Sequence, residues 1–203
     1  MTEKERMLKG MLYIAKDEEL SKLYEYKKTI LKEFNDESNT DTNKKQELLK
    51  NLFKKFGKNS LINYPFRCDY GFNISVGDNF YANMDCIFLD VNEIIIGNNV
   101  MLGPRVNIFT AGHPIDKDIR NELLEYGYKV VIGNDVWIGG NVTINPGVKI
   151  GNNVVIGSGS VVTNDIEDNV IACGNPCKVI RKITLEDKKY WEEQKKKYLE
   201  SFK

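Results

Sequence analysis

The chain has 203 residues, with 29 Lys and Arg set against 29 Asp and Glu, so its formal charge is zero. A neutral chain offers no electrostatic footprint to nucleic acid or to an anionic membrane. It holds one histidine, His113, which excludes a metal site built from several imidazoles.

The length suffices for one core with appendages. No apolar run is long enough to span a bilayer, and Met1-Thr-Glu-Lys-Glu-Arg leads into no signal-peptide core. A cytoplasmic protein is expected. Cys68, Cys86, Cys173 and Cys177 contain no Cys-x-x-Cys and read as free thiols.

Residues 1–57 read as a helical, charged segment. Met7, Leu8, Met11 and Leu12 form a short amphipathic turn closed by Gly10 and Tyr13. Asp17 is placed to N-cap a helix through Leu20, Leu23, Tyr24, Tyr26, Ile30, Leu31 and Phe34, whose spacing predicts one broad apolar face. The polar text of residues 35–43 predicts a loop. A second helix then carries Leu48, Leu49, Leu52, Phe53 and Phe56, with Gly57 placed to end it.

Residues 58–183 read as one solenoid. Ile62, Tyr64 and Phe66 alternate, and sixes open at Val76 and Ala82. The period slips by two around Phe88–Glu93, as one irregular corner, and resumes with Ile96 and Leu102. The clearest text is residues 132–167. Every six opens with an aliphatic residue (Ile132, Ile138, Ile144, Ile150, Ile156, Val162), and four places later stands Val136, Val142, Val148, Val154, Ser160 or Ile166. A helix needs a period of about 3.6 and a plain strand a period of about two. Short parallel strands joined by corners explain the six, with the aliphatic residues pointing inward and Gly, Asn, Asp and Ser turning the corners.

Residues 109–130 break this rule while Ile108 and Ile132 stay in phase, so the segment is thrown out of the coil, and it holds His113. Such excursions are where a rigid scaffold carries function. From 184, Thr184-Leu-Glu-Asp can cap a C-terminal helix through Trp191, Tyr198 and Phe202, expected to plug the open end of the solenoid or to pack on a neighbour. Lys195-Lys-Lys reads as its solvated edge.

His113 stands between Gly112 and Pro114. No serine sits on a strand–turn–helix elbow, so a triad nucleophile is not indicated. One imidazole alone can take a proton from a hydroxyl whose oxygen attacks an already activated acyl group.

Tyr81-Ala-Asn83, Thr110-Ala-Gly-His113-Pro114, Val136-Trp137-Ile138-Gly139-Gly140, Asn145-Pro-Gly147 and Gly174-Asn-Pro-Cys-Lys178 resemble the maltose and galactoside O-acetyltransferases. Met7-Leu-Lys-Gly10-Met-Leu-Tyr13 resembles the N-terminal segment of this sugar-acetylating branch, and the likeness runs from about residue 5 to 185. The resemblance implies a mainly β fold, a left-handed parallel β-helix, the known exception to right-handed crossovers, with N-terminal helices and a C-terminal helix. It implies a homotrimer with acetyl-CoA as co-substrate in a groove between subunits, no metal, and transfer of acetyl to a sugar hydroxyl, a primary one, without an acyl-enzyme. His113 takes the place of the base. Asp69 and Asn83 match positions that hold the acceptor, and each also reads as a turn residue. Glu125 matches an acidic position near acceptor and base; orienting the imidazole, meeting a sugar hydroxyl, or lying solvated in the loop all fit it. Trp137 matches a wall of the acetyl and pantetheine channel, or packs at a subunit interface. Gly140, Ser158 and Thr163 match the border of the pantetheine arm, or are ordinary corners. Lys178 and Arg181 match basic positions near the CoA phosphates.

Two departures stand out. Where the family commonly has Asp after the N-terminal aromatic, this chain has Ile14 and Ala15, with Asp17 further on; where galactoside enzymes have a second acid after Asp90, it has Val91. Other readings of the same coil are an acetyltransferase acting on a xenobiotic or an amino acid, and a non-catalytic β-solenoid scaffold.

Overall fold

In the computed structural model, which describes residues 1–36, 38 and 40–202, short parallel strands wind into a three-faced solenoid. The first face stacks Lys55–Phe56, Ile74–Val76, Ile94–Ile96, Val130–Ile132 and Lys149–Ile150. The second runs from Leu61–Ile62 through Tyr81–Ala82, Met101–Leu102, Trp137–Ile138 and Val155–Ile156 to Val170–Cys173. The third stacks Phe66–Cys68, Cys86–Leu89, Asn107–Phe109, Thr143–Ile144 and Val161–Val162.

The sixfold phase of residues 132–167 is borne out. The residues that open each six, and those four places later, are all buried, from Ile144 at 0 % to Ile166 at 5 % exposed. The corners between first and second faces repeat Asn59, Asn79, Asn99, Asp135, Asn153 and Asn169, all at positive φ. Asn and Asp tolerate that conformation best among residues with a Cβ. Their amides also ladder from coil to coil, as in Asn79 Nδ2 to Asn99 Oδ1 at 2.9 Å and Asn99 Nδ2 to Asp135 Oδ1 at 2.8 Å.

Helices close one end. α1 (Glu3–Leu8) starts in a capping box of Thr2 and Glu5 and buries only Met7. α2 (Glu18–Phe34) is N-capped by Asp17, which accepts from the Glu19 and Leu20 amides. α3 (Thr42–Leu52) lies against α2, and Leu31, Phe34, Leu49, Leu52 and Phe53 join the solenoid core at its first coil. The exposed edge of that coil is capped by two side-chain amides. Asn35 donates to the Phe66 carbonyl and accepts from its N–H, both at 2.9 Å, and Gln46 does the same for Ile62. Each amide stands in for the missing coil and blunts an edge that would otherwise invite another strand.

Several expectations are corrected. The second helix stops at Leu52, because Lys55–Phe56 already pairs with Ser75–Val76 as the first strand of the coil. Gly57 is therefore no helix cap but a corner where backbones touch: a Cβ there would lie 2.0 Å from the Gly77 carbonyl oxygen. The loop predicted at 35–43 ends sooner, at the Asp41 N-cap of α3, and its Glu37 and Asn39 lie outside the described residues. On α2 the apolar face is narrower than expected. Tyr24 and Tyr26 are exposed, and Lys27 takes a buried place beside Leu20, Leu31 and Phe34. At the other end, α5 (Leu185–Glu200) buries nothing and so plugs nothing. The core there is finished by Val170, Ala172 and Cys177, while Lys178–Lys182 folds back antiparallel on Val170–Cys173. Among the described residues no helix is long and apolar enough to cross a membrane.

The slip in period is not one corner but a repeated one. Early coils step by 20 residues, Lys55 to Ser75 to Ile95, whereas Val131 pairs with Lys149 at a step of 18. The added residues fall after the third face, between Cys68 and Ile74 and again between Leu89 and Ile94. The excursion between Phe109 and Val130 leaves from the corner directly above them.

Candidate active site

The widened corner is organised by a carboxyl group. Asp90 is fully buried, and its two oxygens accept from the backbone N–H groups of Asp69, Tyr70, Gly71 and Asn73 at 2.7 to 3.3 Å. Burial pushes its carboxyl up to about 7, while the amides pull the other way. One coil on, the Thr110 hydroxyl donates to the Leu89 carbonyl and accepts from the Asn92 amide. The Asn92 side chain donates to Met7 O at 3.2 Å and to Gly127 O at 2.9 Å, fastening the N-terminal segment and the excursion to the same corner.

The excursion is a hairpin rather than an irregular loop. Ala111–Gly112 pairs antiparallel with Leu124–Gly127, whose other edge takes Tyr13–Ile14. A Cβ on Gly112 would lie 2.6 Å from the Tyr126 ring, which would have to shift to admit it. α4 (Lys117–Asn121), N-capped by Asp116, spans the tip. Arg120 from it donates to the carbonyls of Pro114 and Ile115 at 2.8 and 2.9 Å, bracing the backbone just past His113. In register Gly112 faces Tyr126, His113 follows directly where that strand ends, and on the other edge Glu125 faces Tyr13. Directly opposed residues put their side chains on one face of a sheet. His113 is exposed in the single chain and forms no hydrogen bond among the described residues.

Beside this sheet lies a cavity of about 410 Å³ between α2 and the corner. Tyr13, Asp69, Tyr70, Val91 and Glu125 form its wall against the solenoid. Tyr13 is 1 % exposed, and its hydroxyl donates to Glu125 Oε2 at 3.0 Å. Burial, with Glu125 second, holds the Tyr13 phenol well above its ordinary value, so it stays a donor. Burial likewise raises Asp69 to about 6, with the cation of Lys27 pulling it down and Glu125 pushing it further up. The departures are visible here. Ala15 and Val91 line the cavity as apolar wall, and Asp17 is spent on the N-cap of α2.

The remaining sequence-derived residues stand elsewhere on the prism. Asn83 follows the second-face strand Tyr81–Ala82, one corner away from Asp69 and His113. Gly140 and Ser158 stack at that same second corner: a Cβ on Gly103 would meet Gly140 N at 2.6 Å, and one on Gly139 would meet Ser158 Oγ at 2.5 Å. Trp137 stands on the adjoining face, 54 % exposed. Thr163 lies past the third face, two coils beyond the excursion corner, and its hydroxyl accepts from Asn164. Lys178 and Arg181 project from the returning strand, and Arg181 is held by Asp187 through two bonds of 2.7 and 2.8 Å. The four thiols are free; burial raises Cys68 well above its ordinary value and Cys86 to about 11, so neither is a nucleophile at neutral pH. Among the described residues no three His, Cys, Asp or Glu converge to hold a metal.

Residues 6–57 match the model of the maltose acetyltransferase hexapeptide capping motif, and residues 129–164 match that of the bacterial transferase hexapeptide, six repeats. The chain is 41 % identical to the galactoside O-acetyltransferase of Escherichia coli over 92 % of each. The chain belongs to the maltose and galactoside O-acetyltransferase family. It is similar as well to the crystal structure of a maltose O-acetyltransferase from Clostridium difficile, with a TM-score of 0.89 and 55 % identity over 91 % of this chain and 98 % of that one. A hexapeptide-repeat acetyltransferase from Vibrio cholerae, solved with acetyl coenzyme A, matches at a TM-score of 0.85 and 34 % identity, over 91 % of this chain and 100 % of that one.

In this acetyltransferase, then, sequence reading picked out the excursion that carries His113 and two of the cavity's carboxylates, Asp69 and Glu125. It missed Asp90, Asn92 and Thr110, which build the corner, and the hydroxyl of Tyr13. An acid between Leu89 and Val91, inside the slipped period, was the one readable sign of a buried carboxylate.

Proposed function

We propose that this acetyltransferase carries acetyl from acetyl-CoA to a hydroxyl, a primary one, of a sugar such as maltose, glucose or a galactoside. The observation that supports it best is the cavity in which Tyr13, Asp69 and Glu125 converge beside the His113 hairpin. Carboxylates held on a rigid wall accept from sugar hydroxyls, and such polar placement suits a polyol better than an apolar acceptor. His113 takes the proton of the attacking hydroxyl as its oxygen adds to the thioester carbonyl, and the thiol of CoA leaves with a proton. No acyl-enzyme is needed.

One prism does not bring all the proposed parts together. Asn83, Gly140, Ser158 and Trp137 cluster around the second corner, while Asp69, Glu125 and His113 cluster at the third. A homotrimer in which the second corner of one copy meets the hairpin of the next would complete the site. Asn83 would then hold the acceptor from across the interface. Trp137, Gly140, Ser158 and Thr163 would border the pantetheine arm. Lys178 would meet the CoA phosphates, with Arg181 beside it fixed by Asp187.

The test is release of free thiol from acetyl-CoA in the presence of glucose, maltose or a thiogalactoside. Turnover that requires the sugar supports the reading; absence of turnover with every hydroxyl acceptor would end it. His113→Ala should lower kcat by about a hundredfold to ten-thousandfold, the range of a positioned base. Its thermal midpoint should not move, since the exposed ring bonds to nothing among the described residues. Near-full activity in that variant would remove His113 from the mechanism.

A further inference from the structure

Two lysines are withdrawn from water in this chain, Lys27 at 6 % and Lys45 at 2 % exposed, among the described residues. Lys45 donates to the Asp36 carbonyl oxygen at 2.7 Å. Lys27 has no hydrogen-bond acceptor or ion pair among the described residues; its ammonium rests on the face of Tyr24, 3.7 Å from the ring centre. Its stem is buried while its ammonium reaches the adjoining groove, where the ring face meets its protons only in part.

Lys27 lines a groove of about 790 Å³ between α2 and the first coil. Four cations stand around it, Lys27, Lys28, Lys32 and Arg67, against two carboxylates, Glu25 and Asp69. Glu25 is already held by Lys28 at 3.0 Å. The neighbouring cavity has the opposite balance, with Lys16 alone against Glu25, Asp69 and Glu125. The two share Tyr24, Glu25 and Asp69 as a common wall. A ligand seated across that wall would put hydroxyls at the acidic end and negative charge at the basic end.

We propose that this groove is a second subsite for the acceptor, taking an anionic substituent of the sugar, a phosphate monoester or a carboxylate, with Lys27 as its central contact. The three protons of the ammonium then gain oxygen acceptors. Arg67 and Lys32, at the exposed mouth, draw the anion in. This rests on the sugar reading above and narrows it to an acidic or phosphorylated sugar.

Isothermal titration of the full chain in its native assembly with D-glucose 1-phosphate, and separately with methyl α-D-glucopyranoside, tests it. Both leave the primary hydroxyl free and differ in the charge. The unaltered protein should bind the phosphate at least about tenfold more tightly, the scale of one hydrogen bond to a charged group. Lys27→Met, which keeps the buried stem, should bring the ratio close to one, and Lys22→Met, on exposed surface and paired with Glu18, should leave it intact. KM values for acetylation of the two sugars should follow the same ratio. Equal affinities in the unaltered protein, no binding of the phosphate, or a preference that survives Lys27→Met would each overturn the subsite. A phosphate preference lost in Lys27→Met, but with neither sugar acetylated, would keep the subsite and overturn the sugar-acetylation reading instead.

Discussion

Asp69 shows how far a residue's chemistry depends on what surrounds it. Its carboxyl rises from 3.8 to about 6 because it is enclosed by the cavity wall, with Lys27 easing the shift and Glu125 adding to it. Between these values the folded chain holds a proton that the unfolded chain has released, so stability falls as pH rises. The contribution is fully present below about pH 4 and lost as pH passes 6. Denaturant midpoints of the unaltered protein and of Asp69→Asn, compared from pH 4 to 7, should therefore diverge. The difference between the two curves should change by about 1–2 kcal/mol across that window, after allowing for partial solvation. Parallel curves would mean that Asp69 is in water. The identity of this aspartate was legible in the sequence, but the enclosure that raises its proton affinity, and the lysine and glutamate that adjust it, arrive from α2 and from the hairpin. The burial of Lys27 was not legible for the same reason: helical spacing marks which positions face inward, yet a charged residue in such a position gives no warning that it is buried.

The element that decides the site is a corner. Six-residue spacing told where strands and turns alternate, since each strand's inward residues must be aliphatic and each turn must accept positive φ. It could not tell that the two added residues recur in the first two coils at one corner, or that the hairpin with His113 grows from the same edge. Asp90 makes that stacking possible by gathering four backbone N–H groups that no strand uses. Asp90→Asn replaces one acceptor oxygen with a donor and leaves buried amides unmet, so it should cost about 3 kcal/mol in a denaturant titration. Acetyl transfer should suffer as well, since Asp69 hangs from the same corner. A substitution neutral in both assays would mean that the corner is held by its backbone turns alone. The helix boundary at Leu52 was missed for a related reason. Phe53 and Phe56 continue an apolar spacing that a helix and the first coil both satisfy, and only pairing with Ser75–Val76 chooses between them.

At the scale of the whole molecule, the three corners have separate work. One is a ladder of Asn and Asp side chains, one carries Asn83, Gly140 and Ser158, and one carries the hairpin with His113. If neighbouring copies complete one another's sites, two dead variants can rescue each other. Trimers re-formed from equal amounts of His113→Ala and Asn83→Ala should regain about a quarter of full activity, because one interface in four would join an intact histidine to an intact asparagine. No recovery after mixing, with exchange verified by mass, would mean that both residues act within one copy or that Asn83 is only a corner.

The amino-acid sequence by itself determined the coil, its inward phase and the segment with the single imidazole that leaves it, because these depend on spacing along the chain. Tertiary structure alone decided which side chains share a cavity. Tyr13, Asp69 and Glu125 meet through strand pairing and through the Asp90 and Asn92 knots, contacts between distant segments that leave no periodic trace. It also decided the burial of Lys27, because whether a helix face meets core, groove or water is settled by what packs opposite it.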